Sequence, residues 1–216
     1  MVTHTQHTLV LNEVAVARAG MPLAAHLSVA LSSGELLFLQ GANGGGKSTL
    51  LEVLAGLLPP HSGAITLDDA PLRRHPEYPR AITYIGHRIG LRSALTVRDN
   101  VAFWARLGQG AETIDAALDY FDLTPIADMP CRLLSAGWQQ RVALTRLLTM
   151  GGFLWLLDEP TANLDEEGLS LLHSLVVTRL EQRGIVIMSS HAKIEESQHR
   201  ILHLGHYKPS AEMVEA

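Results

Sequence analysis

The sequence predicts an α/β fold: a parallel sheet flanked by helices, an antiparallel flap beside it and an inserted helical lobe. Three observations predict it. ELLFLQ (35–40), AITYIGH (81–87), FLWLLD (153–158) and GIVIMSS (184–190) are short apolar runs of the kind that form doubly covered parallel strands, and helical patterns separate several of them. TLVLNEVAV (8–16), LSVALSS (27–33) and AITLDD (64–69) fall close together, as an antiparallel flap requires. Between YIGH and LLSAG no strand is evident, and that span reads as helices.

Taken in order, the flap strands at 8–16 and 27–33 lead into the core strand ELLFLQ, a glycine-rich loop and the helical STLLEVLAGLL (48–58). AITLDD returns to the flap and AITYIGH to the core. In TVRDNVAFWARL (96–107), Thr96 is a helix cap with Asp99 three residues on, and AETIDAALDYF (111–121) is a second helix. Ser135 caps a further helix that runs into RVALTRLLTM (141–150). The strands FLWLLD and GIVIMSS follow, then RILHL (200–204); the tail from Tyr207 is uninformative. The expected organisation is one domain over 1–216, with a helical subdomain at about 91–150 inserted in the core.

Composition narrows the function. The 216 residues suffice for one buried core, so disorder is excluded. With 17 Lys and Arg against 22 Asp and Glu, and no basic block, the chain lacks the electrostatic footprint of a nucleic-acid binder. Cys131 is the single cysteine, so no internal disulfide is possible. The start MVTHTQHT has no signal-peptide character, and no apolar stretch approaches the roughly 20 residues that span a bilayer. A cytoplasmic location is expected, with any membrane role exercised through a partner.

GANGGGKS (41–48) fits G-x-x-x-x-G-K-[ST] and lies between a strand and a helix, where such a loop presents backbone N–H groups to phosphate oxygens. Gly41, Asn43, Gly44, Gly45, Gly46, Lys47, Ser48 and Thr49 form the candidate nucleotide cradle. Lys47 is expected to reach the β and γ phosphates and Ser48 to ligate Mg²⁺. The strand FLWLLD delivers Asp158 and Glu159 to the same sheet edge, Asp158 placed for the Mg²⁺ shell and Glu159 spare to polarise water. Asp165, in TANLD, follows on a turn. His191 closes the next strand, at the same edge. LSAG (134–137) makes a second anion-binding helix start, which would duplicate the first if both served one nucleotide in one subunit. A head-to-tail dimer is a natural way to remove the duplication.

In this order the motifs resemble the ATP-binding subunits of ABC transporters: the phosphate loop at 41–48, a signature loop LSAGW, a carboxylate strand ending at Asp158, the adjacent Glu159, a D-loop at ANLD and a switch histidine at His191. The resemblance covers nearly the whole chain. It implies a P-loop NTPase core, ATP and Mg²⁺ as ligands, Glu159 as general base, His191 at the γ phosphate, and a homodimer formed on ATP binding in which Ser135, Ala136 and Gly137 cover the partner's γ phosphate in trans. Three positions depart from the family pattern. Trp138 stands where glutamine is usual, and Gln139 or Gln140 would have to compensate. His87, in YIGHRIG, replaces the coupling-loop glutamine, where an imidazole can still bond water or a metal. No aromatic residue is placed to stack on adenine, and Arg18 is the nearest substitute, since a guanidinium plane can stack on a base.

The short chain, IGH and LSAG followed by Gln-Arg resemble one branch of the family, the ATPase of the haem exporter in cytochrome c maturation. That branch implies integral membrane transporter subunits as partners, a peripheral position on the cytoplasmic face of the bacterial inner membrane, and hydrolysis linked to release of a haem-loaded chaperone. His199, His203 and His206 cluster, but RILHLGHY reads as strand and turn and no Cys-x-x-Cys-His is present, so direct haem binding is not expected. The alternatives are the ATPase of another small ABC exporter and a non-transport ABC ATPase; the second usually carries a coiled-coil insertion or tandem cassettes, and neither is seen.

Overall fold

The computed structural model describes residues 6–78, 80–108, 114–189 and 199–209. The strands are β1 (Thr8–Arg18), β2 (Met21–Ser32), β3 (Leu36–Gln40), β4 (Ser62–Leu67), β5 (Ala70–Pro71), β6 (Ile82–Ile85), β7 (Leu154–Asp158), β8 (Ile185–Ser189) and β9 (His199–His203). The helices are α1 (Lys47–Leu54), α2 (Val97–Gly108), α3 (Ile114–Tyr120), α4 (Ala136–Leu144), α5 (Arg146–Thr149) and α6 (Glu166–Glu181).

Two sheets form. The flap is antiparallel, in the order β2-β1-β4-β5, and the core is parallel, in the order β6-β7-β8-β3-β9. β7 shows why the core strands read as unbroken apolar runs. Leu154 and Leu156 enter one hydrophobic cluster, shared with the flap and α1, while Trp155 and Leu157 enter a second, shared with α2, α3 and α6. A strand covered on both faces has no position left for a polar side chain.

The flap is longer than the sequence predicts. β2 begins at Met21, not near Leu27, because Ala19 and Gly20 take φ of 49° and 81° and reverse the chain in two residues. Ala-Gly is a weak turn signal, so the hairpin is not visible locally. Helix α1 stops at Leu54, short of Leu58, and Gly56 follows at φ 73°, a left-handed exit that glycine takes freely. The expected cap of α2 is present: Asp99 N–H donates to Thr96 Oγ1 at 3.0 Å, and Thr96 Oγ1 donates to Asp99 Oδ2 at 2.7 Å. RILHL joins the parallel core as β9, hydrogen-bonded to β3.

Candidate functional site

The carboxyl ends of β3, β6 and β7 open on a cleft of ≈ 1100 Å³, the edge at which parallel α/β sheets place ligands. At the end of β3 the chain enters the glycine-rich loop. Gly44 (φ 78°) and Gly46 (φ 95°) are left-handed there. Gly46 also lets the flap approach, since a Cβ on it would stand 3.2 Å from Leu23 Cβ. Gly45 N–H donates to Ala42 O at 3.0 Å and closes the turn. Lys47 opens α1, is 8% exposed, and bends back so that Nζ donates to Gly41 O at 2.7 Å and Ala42 O at 3.1 Å. The ammonium is therefore held against the carbonyls of its own loop.

Asp158 ends β7 and is 4% exposed, and a carboxylate so buried requires hydrogen bonds. Ser189, at the end of β8, supplies one: its Oγ donates to Asp158 Oδ1 at 2.7 Å. The same Ser189 accepts Glu159 N–H through both Oγ and backbone O, each at 3.0 Å. Glu159 is thereby held at φ 50°, a left-handed conformation costly for a residue with a Cβ. One buried serine thus ties the Asp158 carboxylate and the Glu159 backbone to the neighbouring strand. Sequence reasoning missed it; a hydroxyl at the end of the otherwise apolar IVIMS was the available signal.

The cleft brings together Arg18, Asn43, Gly44, Gly46, Lys47, Ser48, Thr49, His87, Asp158 and Glu159, all expected there. Glu52 and Tyr84, which sequence reasoning did not single out, line it too. Glu52 pairs with Arg18 across the cleft mouth. Tyr84 is half-buried; burial first, then the charges of Asp158 and Glu52, push its phenol up to about 12. Gly86 packs closely beside it: a Cβ there would stand 2.4 Å from the Tyr84 hydroxyl, and the ring would have to shift. The donor set fits Mg²⁺. Ser48 and Asp158 are hard oxygen donors, and no group of three or more His, Cys, Asp or Glu able to hold a metal occurs among the described residues. Mg²⁺ takes few protein ligands and completes its shell from phosphate and water. His191 lies outside the described residues.

Ser135, Ala136, Gly137 and Asp165 do not line this cleft. Ser135 caps α4, accepting Trp138 N–H at 3.4 Å. Asp165 caps α6, accepting Gly168 N–H at 2.9 Å, and also receives Arg141 Nη2 at 2.8 Å. Arg141 is 3% exposed and pairs in addition with Glu167 at 2.8 Å and Asp122 at 3.3 Å, so one guanidinium joins the signature helix α4 to α6. Its partners hold Asp165 well below the usual carboxylate range, Arg141 foremost. The Trp138 ring lies 5.0 Å from this guanidinium. Both glutamines that follow are used internally: Gln139 Nε2 donates to Cys131 O and Leu134 O, and Gln140 Nε2 donates to Pro160 O at 2.9 Å.

A strand-loop-helix phosphate cradle facing a strand-end Asp-Glu pair, with an inserted helical lobe presenting a second capped helix start, defines the ATP-binding cassette class. The ABC transporter family matches residues 24–162, and the chain belongs to it. It is 39% identical over 202 residues to the cytochrome c biogenesis ATP-binding export protein CcmA of Paracoccus denitrificans, an alignment covering 94% of this chain and 91% of that protein. Among solved structures, an ATP-binding ABC transporter protein from Pyrococcus furiosus shares the fold at TM-score 0.80 and 23% identity, covering 94% of this chain and all of that one (100%). A dimeric ATP-binding cassette in a post-hydrolysis state, bound to ADP and Pi, shares it at TM-score 0.74 and 22% identity, covering 85% of this chain and 88% of that one.

Proposed function

We propose that this chain is the ATP-hydrolysing motor subunit of an ABC transporter complex of cytochrome c biogenesis, driving haem export or release of a haem-loaded chaperone. The observation that carries the reading is one cleft holding Lys47 and Ser48 against Asp158 and Glu159, in a chain similar to CcmA along nearly all its length.

The loop 41–49 binds the phosphates through backbone N–H groups and Lys47, whose ammonium exchanges its own loop carbonyls for phosphate oxygens. Ser48 and Asp158, with His87 as a further candidate, would hold Mg²⁺, which when bound neutralises charge on the β and γ oxygens. Glu159 accepts a proton from the attacking water, and His191 contacts the γ phosphate. Arg18, steadied by Glu52, offers its guanidinium plane to the base. Ser135, Ala136 and Gly137 act on the nucleotide of a second copy, a role supported by their absence from this chain's own cleft and by the dimeric state of the ADP-bound cassette sharing the fold. Asp165 serves that interface indirectly, through its pair with Arg141.

The complex assigns the chain a peripheral place on the cytoplasmic face of the inner membrane, held by integral membrane subunits. Among the described residues no helix is long and apolar enough to cross a membrane, so a transport role runs through partners. No nucleic-acid partner and no direct haem ligation are part of the reading. The test is deletion of the gene. Loss of mature c-type cytochromes with b-type cytochromes retained supports it. Normal c-type cytochromes would transfer the chain to another exporter or to a non-transport ABC ATPase, leaving the ATPase assignment standing.

A further inference from the structure

Arg146, on α5, is 5% exposed and has no ion-pair partner among the described residues. Its donors go to backbone carbonyls instead. Nε donates to Ala143 O at 3.1 Å, Nη1 to Tyr84 O at 3.5 Å, and Nη2 to Ile89 O. Tyr84 lies in β6, paired with β7, and Ile89 lies beyond Gly86, His87 and Arg88, which the loop after β6 carries to the cleft. The face of the same guanidinium lies 4.6 Å from the Trp104 ring of α2. The indole N–H of Trp104 is buried with no hydrogen-bond partner among the described residues, so what this side chain offers is its ring face. The chain beyond the loop is latched to the same helix: Asn100 Oδ1 accepts Arg92 N–H at 2.8 Å, Asn100 Nδ2 donates to Arg92 O at 3.1 Å, and the Arg92 guanidinium lies 4.6 Å from the Phe103 ring.

We propose that Arg146 is a positioning residue that braces the 86–89 loop between the end of β6 and α2, so that a displacement of α2 moves His87 and Arg88 at the cleft. The inference rests on the reading of that cleft as the ATP site. Only a planar fork can reach two carbonyls while its face stacks on an indole; an ammonium can do one or the other. Tyr84 stays with the core sheet through the pairing of β6 with β7, whereas Ile89 is tied to the lobe through Arg146, so the residues between them form the joint.

The test is a mutant cycle on the purified full chain, with steady-state ATPase, binding of a fluorescent ATP analogue and thermal unfolding measured for Arg146→Lys, Trp104→Leu, His87→Ala and their pairs. Arg146→Lys is expected to lower kcat by roughly 2- to 30-fold, with KM and analogue affinity within about twofold of the parent. In the His87→Ala background, Arg146→Lys and Trp104→Leu are expected to add little, because all three act through one loop. Multiplying effects, or a fall in analogue affinity that tracks a fall in unfolding temperature, overturn the proposal. If Arg146→Lys does not fold, Trp104→Leu with His87→Ala decides by the same criterion. A parent chain that binds no ATP analogue overturns the reading of the cleft as well, whereas normal binding with multiplying effects overturns this inference alone.

Discussion

A Cβ placed on Gly137 would stand 2.7 Å from the carbonyl oxygen of Asn163, so the first turn of the signature helix and the D-loop turn touch through backbone alone. Asn163 is itself left-handed, at φ 62°, which aims that carbonyl at α4. Gly137→Ala must separate the two. It is expected to destabilise the fold by about 1–3 kcal/mol, as overpacking against backbone does, and to cut ATPase activity further. Denaturant titration checks the first effect; an unchanged midpoint would mean that the D-loop yields at no cost.

Glu159→Gln keeps the shape and the backbone bonds to Ser189 but removes the base. Turnover is expected to fall by about 10²–10⁴, with ATP binding retained and an ATP-held dimer accumulating in size-exclusion chromatography. Near-normal hydrolysis would remove Glu159 from the role. Glu159→Gly should also lose turnover yet gain stability, because the residue sits at φ 50°.

Lys47→Ala acts earlier, on binding. The charge faces the phosphates before and during reaction, so ATP affinity is expected to weaken roughly 10- to 100-fold, the range for a lost charged hydrogen bond. Stability should change little, since the carbonyls of Gly41 and Ala42 that lose their donor belong to an open loop. Calorimetric titration with ATP distinguishes this from a pure loss of turnover.

Tyr84 makes alkaline stability a readout of the site. Its phenol is raised from 10.0 to about 12, chiefly by burial. A group whose pKa is raised on folding stabilises the fold fully below its unfolded value and ceases to do so as pH rises through the folded one. The contribution of Tyr84 is therefore whole below pH 10 and lost between about pH 10 and 12. Tyr84→Phe should unfold less steeply than the parent across that window. Identical pH profiles would place the phenol in solvent.

Much of the fold and the cleft was legible without coordinates, because the signals are local. Buried parallel strands are apolar throughout, a phosphate loop needs glycines in a row before a helix, and a cap such as Thr96 sits three residues from its partner Asp99. These patterns determined the parallel core, the flap, the cradle at 41–49 and the meeting of Lys47, Ser48, Asp158 and Glu159 at one edge. The groups that hold this machinery were decided only by the tertiary structure. Ser189 reaches Asp158 across 31 positions, Arg146 reaches Tyr84 across 62, and Arg141 reaches Asp165 across 24. In the sequence each is an ordinary serine or arginine. A buried polar group must find its partner in three dimensions, and the strand order that brings β8 beside β7, and α5 beside the end of β6, is set by the packing of two whole sheet faces.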